Sequence, residues 1–379
     1  VFSVTLMAML GVASVTPAFP RIATALDVRP ESVGLLVSAF TLPGAIFTPV
    51  LGVLADRFGR KSVLVPSLLL FGLAGASCAF ARDFHLLVGL RLLQGVGGAS
   101  LGAINVTLIG DLYTGNRRTT AMGYNSAVLS VGTAVYPAVG GALATLTWYW
   151  PFALPIAAVP VAFFVLFVLD SPETPPADNL RSYLRSAASV IARGDVLVML
   201  LAGLLTFVLI YGAYLTFLPF VLEQAFGATP LGIGTVFAVA SVSTAFTSFG
   251  LGRIATVVGE RRLVVSGFVL YATAMLAMPH AATVWQQAII VMVFGAANGL
   301  SIPSILTLLS GAAPDRYRAA VMSVNGMLLR MGQTLGPLLA GAAYAAFGLD
   351  APFHFSAAFA AAMLLPLLWT VYRHGGGQR

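Results

Sequence analysis

"RTTAMGYNSAVLSVGTAVYPAVGG", Arg118–Gly141, recurs two hundred residues later as "RAAVMSVNGMLLRMGQTLGPLLAG", Arg318–Gly341. The shift pairs Arg118 with Arg318, Met122 with Met322, Asn125 with Asn325, Gly132 with Gly332, Pro137 with Pro337 and Gly141 with Gly341. The same offset, without a gap, pairs Pro30 with Pro230, Gly34 with Gly234 and Gly95 with Gly295. It also lays "GVLADRFGRK" (52–61) on "GRIATVVGER" (252–261). One coincidence of this kind is chance; a ladder of them is a duplication. The chain reads as two copies of one unit, residues 1–169 and 195–379, joined by 170–194.

Composition says where each copy lives. The chain is 59% hydrophobic and only 9% charged, against about 25% charge in soluble domains. A helix of about 20 apolar residues spans a bilayer. Twelve such runs occur, near 1–20, 33–55, 62–81, 84–110, 118–146, 150–169, 195–222, 231–255, 262–279, 283–310, 318–346 and 352–372. In lipid every backbone amide needs an internal partner, which only helices and closed barrels supply. The runs are continuous rather than short and alternating, so the expected fold is an all-α membrane protein: twelve transmembrane helices in two pseudo-symmetric six-helix bundles. Val1 falls inside the first run, which reads as a trimmed first span and not as a signal peptide, because no cleavage site follows.

The net charge of +7 invites a nucleic-acid reading, and its distribution excludes it. Assigning the loops alternately to two sides places fifteen of the 20 basic residues on one side, among them Arg57, Arg60, Lys61, Arg117, Arg118, Arg261 and Arg262. Only Arg21, Arg29 and Arg82 fall on the other, while Arg91 and Arg330 lie inside runs. By the positive-inside rule the basic side is cytoplasmic, and both termini with it. The linker 170–194 opens Pro-rich and then spaces Leu180, Tyr183, Leu184, Ala187 and Ile191 against Arg181 and Arg185. That pattern reads as an amphipathic helix on the inner membrane surface, or else as a disordered connector. Cys78 is the single cysteine, so neither a disulfide nor a cysteine-held metal is expected. The four histidines sit at run ends, without apparent clustering. No metal-ligand spacing, nucleophile–base pair or phosphate loop appears, so neither an enzyme nor a cofactor is expected.

Two parallel six-helix repeats are an architecture of secondary transporters, which expose a central site to each side in turn. At this point the chain resembles the major facilitator superfamily, and within it the twelve-span drug:proton antiporters. Three motifs carry the resemblance. The first is Gly-x-x-x-Asp-Arg-x-Gly-Arg-Lys, complete at Gly52, Asp56, Arg57, Gly59, Arg60 and Lys61. The second is Arg-x-x-Gln-Gly in "RLLQGVGGA", from Arg91 through Gln94. The third is the fifth-span antiporter signature, here Gly123, Gly132, Tyr136, Pro137, Gly140 and Gly141, with Tyr136 in place of a glycine.

The resemblance implies a conformational latch in the first motif. Asp56 would meet the positive end of the eleventh helix, and Arg60 would reach Asp111, giving an Asp56–Arg60–Asp111 cluster; fixing topology alone is the plainer alternative. Thr256 stands where Asp56 would recur, so the latch is asymmetric. The resemblance also places the fifth and eleventh spans between the halves. Gly132, Pro137, Gly140 and Gly141, with Gly332, Gly336, Pro337 and Gly341, would then allow close approach and bending there.

Arg91 shares a helix face with Gln94 and Asn105. It either lines a cavity or is bonded to backbone carbonyls, bracing the first and fourth spans. Arg330 lies mid-run with Gln333 on its face, about 12 residues or ~18 Å from the basic end, too deep to snorkel. Its repeat mate is Ser130. A cavity role is expected, with Tyr136, Tyr211, Tyr214 and Asn298 as softer candidates that could equally be packing. No carboxylate falls in the middle of any run. Embedded charge of one sign favours a neutral or anionic cargo over a cation.

The expectation is therefore a proton-coupled exporter of small molecules in a bacterial inner membrane, monomeric and working by alternating access. The alternatives are a lipid or glycolipid flippase, an exporter of anionic metabolites, and a non-transporting scaffold or sensor.

Overall fold

The computed structural model describes residues 2–169, 191–312 and 315–375. The expected linker helix lies outside the described residues apart from its last few positions, and so does the side chain of Asp56. All regular structure among the described residues is helical. The helices of the first repeat are α1 (Phe2–Ala25), α2 (Leu35–Phe58), α3 (Arg60–Cys78), α4 (Phe84–Leu112), α5 (Gly115–Leu146) and α6 (Trp150–Val168). Those of the second are α7 (Gly194–Phe226), α8 (Pro230–Val258), α9 (Glu260–Ala277), α10 (Val284–Ala312), α11 (Asp315–Phe347) and α12 (Ala351–Gly375). Among the described residues eleven helices are long and apolar enough to cross a membrane. The twelfth, α11, has the length at 33 residues, but Arg330 and Gln333 dilute its apolar character.

The duplication shows in the packing. In the first repeat α3 lies against α4 and α6, and α1 against α5; in the second α9 lies against α10 and α12, and α7 against α11. The turns match as well. Gly59 between α2 and α3 has φ +91°, and Gly259 between α8 and α9 has φ +85°. Both are in the left-handed region that glycine enters without steric cost, which is why the basic turn carries glycine in each copy. At the opposite end Asp83 caps α4, its carboxylate accepting from the Leu86 amide at 2.8 Å. That bond holds its carboxyl below the usual carboxylate range.

The chain divides into two compact units that depart from the sequence halves at one place. The first unit takes residues 2–169 together with Leu222–Ala238; the second takes 191–221 and 239–375. The tip of α7 and the first half of α8 thus pack with the first repeat. The reason is close backbone approach. A Cβ on Gly141 would strike the Pro230 carbonyl, and one on Gly234 would strike the Pro137 carbonyl. Arg21 adds two bonds at 3.0 Å to the Ala144 and Thr145 carbonyls at the end of α5, where a cation favours the helix dipole. It also lies within electrostatic reach of Glu223.

The signature glycines are spent mainly inside each unit. Gly140 faces the Ser14 carbonyl of α1. Gly332 faces the Leu204 carbonyl, and Gly336 the Val208 carbonyl at 2.7 Å from an added Cβ, both on α7. Gly132 lies against α1 with the Tyr136 ring folded over it, Gly341 is buried, and Gly123 faces open space. Replacing Gly140 by Ala should lower stability by about 1–3 kcal/mol through overpacking. Gly123→Ala should be neutral or add up to ~1 kcal/mol of helix propensity. Thermal unfolding of the two variants in detergent checks the contrast.

Candidate functional site

Helix regularity fails at equivalent places in the two repeats. α1 loses its α-helical pattern after Ala13 and passes through a short 3-10 turn, Thr16–Ala18, at Pro17. α7 opens into a π-helix over Ile210–Phe217, the positions that match 10–17 under the repeat shift. Thr16 and Thr216 do the same work, their hydroxyls donating to the Val12 carbonyl at 2.9 Å and the Tyr211 carbonyl at 2.7 Å. Apolar periodicity cannot distinguish a π-turn from an α-turn, so this feature was not legible in the sequence.

The π-helix sends two tyrosines in different directions. Tyr214 is buried and stacks on Phe294 of α10 with ring centroids 4.3 Å apart. Phe294 in turn meets Tyr271 of α9 edge-on at 5.3 Å. Tyr271 donates to Asn298 at 2.7 Å. Tyr214 and Asn298 therefore bind α7, α9 and α10 together, which is the packing alternative for both. Tyr211 faces α11 instead, where its hydroxyl accepts from Gln333 Nε2 at 3.3 Å. Its ring stacks on Phe207 at 5.9 Å. Arg330, one turn back from Gln333, lies within electrostatic reach of Tyr211.

The two embedded arginines differ sharply. Arg91 is 1% exposed. Its Nε donates to the Leu36 carbonyl at 3.0 Å and its Nη1 to Gln94 Oε1 at 2.7 Å. Its guanidinium sits 4.5 Å from the centroid of the Phe40 ring and 5.9 Å from that of Phe152. It braces α4 to α2 and α6, so the neighbour expected to be the first span is the second. Asn105 is also buried, in a triad with Thr5 and Asn125 that ties α4 to α1 and α5. Arg330, Gln333 and Tyr211 are all partly exposed. Among the described residues the Arg330 guanidinium makes no hydrogen bond or ion pair; only its backbone carbonyl is engaged, by Thr334. An arginine facing lipid at this depth costs at least about 2.5 kcal/mol, so its exposed side calls for water or a ligand.

At the basic ends each repeat builds a charge cluster of its own. Arg60 is 6% exposed, and its Nε meets Asp111 Oδ2 at 3.3 Å, joining α3 to α4. Arg57 and Gly59 are exposed, Arg57 lying over Phe58, while Gly52 and Lys61 are partly covered. In the second repeat Asp195, 7% exposed, takes Arg193 at 2.9 Å and Arg261 at 3.9 Å. Arg193 also donates to the Ala312 carbonyl at 3.1 Å. This cluster went unrecognised in the sequence; the available signal was Asp195 beside Arg193, with Arg261 at the repeat position of Lys61. The histidines do approach one another, contrary to the sequence reading: His280 and His354 meet Nε2 to Nε2 at 3.4 Å, where the end of α9 reaches the start of α12.

Comparison with known proteins agrees with this architecture. The family model described as Major Facilitator Superfamily matches residues 1–227 and again 217–378. Multidrug resistance protein 2 of Bacillus subtilis (strain 168) is 25% identical over 346 residues, covering 88% of this chain and 85% of that protein. The Bacillibactin exporter of the same organism is 26% identical over 348 residues, covering 88% and 86%. Among solved structures, a bacterial homolog to the human lysosomal transporter Spinster superposes with a TM-score of 0.79 at 16% identity, covering 97% of this chain and 93% of that one.

The contrast between the arginines is testable on stability alone. Arg91→Leu should destabilise by about 2 kcal/mol or more, because Gln94 is left buried without its partner. Arg330→Gln should leave stability unchanged or raise it by up to about 1 kcal/mol, since among the described residues the side chain has no hydrogen bond or ion pair to lose. Unfolding midpoints in detergent decide both.

Proposed function

We propose that this chain, which belongs to the Major Facilitator Superfamily, is a secondary active transporter that exports small molecules by alternating access and performs no covalent chemistry. The observation that carries the reading is the paired helix irregularity, Thr16–Ala18 in α1 and Ile210–Phe217 in α7. Irregular backbone at membrane depth survives only where it is buried in protein or lines a water-filled cavity, and discontinuous helices at matching places in two repeats mark transport sites. Export is supported by relatives whose names describe multidrug resistance and export.

In this reading Arg330, Gln333 and Tyr211 of the second unit border the transport path, with Tyr214 and Asn298 holding that wall in place, while Arg91 and Asn105 brace the first unit. The turn from Gly52 to Lys61 acts as the cytoplasmic gate, with Arg60 and Asp111 fixing α3 to the end of α4. The excess of basic residues in one set of loops supports cytoplasmic termini in a bacterial inner membrane. Export is coupled to proton entry, with the monomer as the working form.

The test is a proteoliposome holding a pH dye under an imposed pH gradient, challenged with cationic, neutral and anionic aromatic compounds. Cargo-dependent proton flux is expected. Asp111→Asn, which removes one charged partner of Arg60 and about 1.5–3 kcal/mol of charge-assisted bonding, should slow it by roughly tenfold or more. Asp56→Asn should slow it also. Absence of flux with every compound would overturn the coupled-exporter reading.

A further inference from the structure

We propose that Arg330, Gln333 and Tyr211 form a subsite for a carboxylate or similar planar oxyanion on an aromatic molecule. The proposal deepens the transporter reading and rests on it only for where such a ligand would come from.

The first argument is an unmet charge. Among the described residues Arg330 is a partly exposed guanidinium in the middle of α11 whose N–H groups have no acceptor. The acids of the second unit, Asp195, Glu260, Asp315 and Asp350, all stand at helix ends. Asp195 is already engaged by Arg193 and Arg261. Among the described residues no acid in the unit's interior supplies a counter-charge. An embedded arginine need not be left this way, because Arg91 in the same chain is held by a carbonyl, an amide and two aromatic faces.

The second argument is the sign of the neighbouring groups. Gln333 donates to the Tyr211 oxygen, which leaves the Tyr211 hydroxyl hydrogen to be given away. Guanidinium and phenol thus both present donors to one place. A planar guanidinium fork matches a carboxylate with two parallel bonds. A cationic ligand would find no acceptor of full charge there.

The third argument is the wall. Tyr211 stacks on Phe207 with an interplanar angle of 13°. Phe207 also lines a small cavity with Ile305, Leu306 and Leu329, along the seam of α7, α10 and α11. An aromatic body has apolar surface to lie against while its carboxylate reaches Arg330. The site is not a by-product of the repeated fold. The repeat mates of Arg330, Gln333 and Tyr211 are Ser130, Thr133 and Gly11. Ser130 satisfies itself on the Ser126 carbonyl.

Equilibrium binding of naphthoate, its neutral isostere naphthamide and the cation naphthylmethylammonium to the purified chain in detergent tests the proposal. The chain should prefer naphthoate over naphthamide by about tenfold or more, as a charge-assisted bidentate contact would give. The cation should bind weakest. Arg330→Gln should erase the preference, Arg330→Lys should retain part of it, and Gln333→Leu should weaken naphthoate several-fold with naphthamide unchanged. Should Arg330→Gln fail to fold, the Lys and Leu variants carry the same comparison. Equal binding of naphthoate and naphthamide, or none of either, overturns the subsite, as does a preference that survives Arg330→Gln. No gradient is present in this assay. Anion preference in detergent without any flux in vesicles would therefore sink the transport reading and leave the subsite standing.

Discussion

A backbone amide in hydrocarbon has no water to turn to, and the whole structure is organised by that fact. It makes every crossing helical, so a duplicated sequence becomes a duplicated bundle. It also means that a departure from helix geometry needs a local remedy. α1 and α7 show two remedies at the same repeat position. α1 uses Pro17, which has no N–H to satisfy, with Thr16 bonding back to Val12. α7 inserts a π-turn, with Thr216 bonding back to Tyr211. The same topological demand is met by different chemistry because the copies have diverged in sequence while their packing partners, α5 and α11, still approach through small residues.

That close approach explains why the signature glycines matter even though their surroundings differ from the expectation. The sequence reading put them between the halves. In the structure Gly140 is against α1, while Gly332 and Gly336 are against α7; only Gly141 reaches across the duplication, to α8. With no hydrophobic force between helices in lipid, such contacts supply the van der Waals packing that holds a bundle together. A side chain at Gly140 would have to displace backbone, not a flexible neighbour.

Much of the fold was legible because it rests on strong periodic signals: long apolar runs, the repeat ladder, and glycine at turns that the structure gives positive φ. The Arg60–Asp111 pair was anticipated only through the family resemblance, because Asp111 lies some fifty residues beyond the motif and nothing local links the two. What escaped has a common cause. The π-helix depends on a one-residue change of register that composition does not record. The Asp195 cluster joins residues from three separate places in the chain. Arg91 was correctly seen as embedded, but a helical wheel of α4 shows which face it occupies and not which helix lies opposite; the partner carbonyl proved to be Leu36 rather than one from α1.

The two arginines differ in burial and in partnership, and the proposed subsite rests on that difference. Depth alone made Arg330 look like a cavity residue and left Arg91 open between a cavity role and bonding to backbone carbonyls. Arg91 is fully covered, bonded and stacked, so its charge is spread among neighbours that would be left wanting without it. Arg330 is half covered and unspent. An isolated cation held at mid-membrane lowers the stability of the empty protein in exchange for nothing within the protein itself. A group bound only part of the time recovers that energy in the bound state alone, which is the differential affinity a ligand needs in order to shift one conformation against another. An arginine satisfied permanently by an internal carboxylate could contribute none of it.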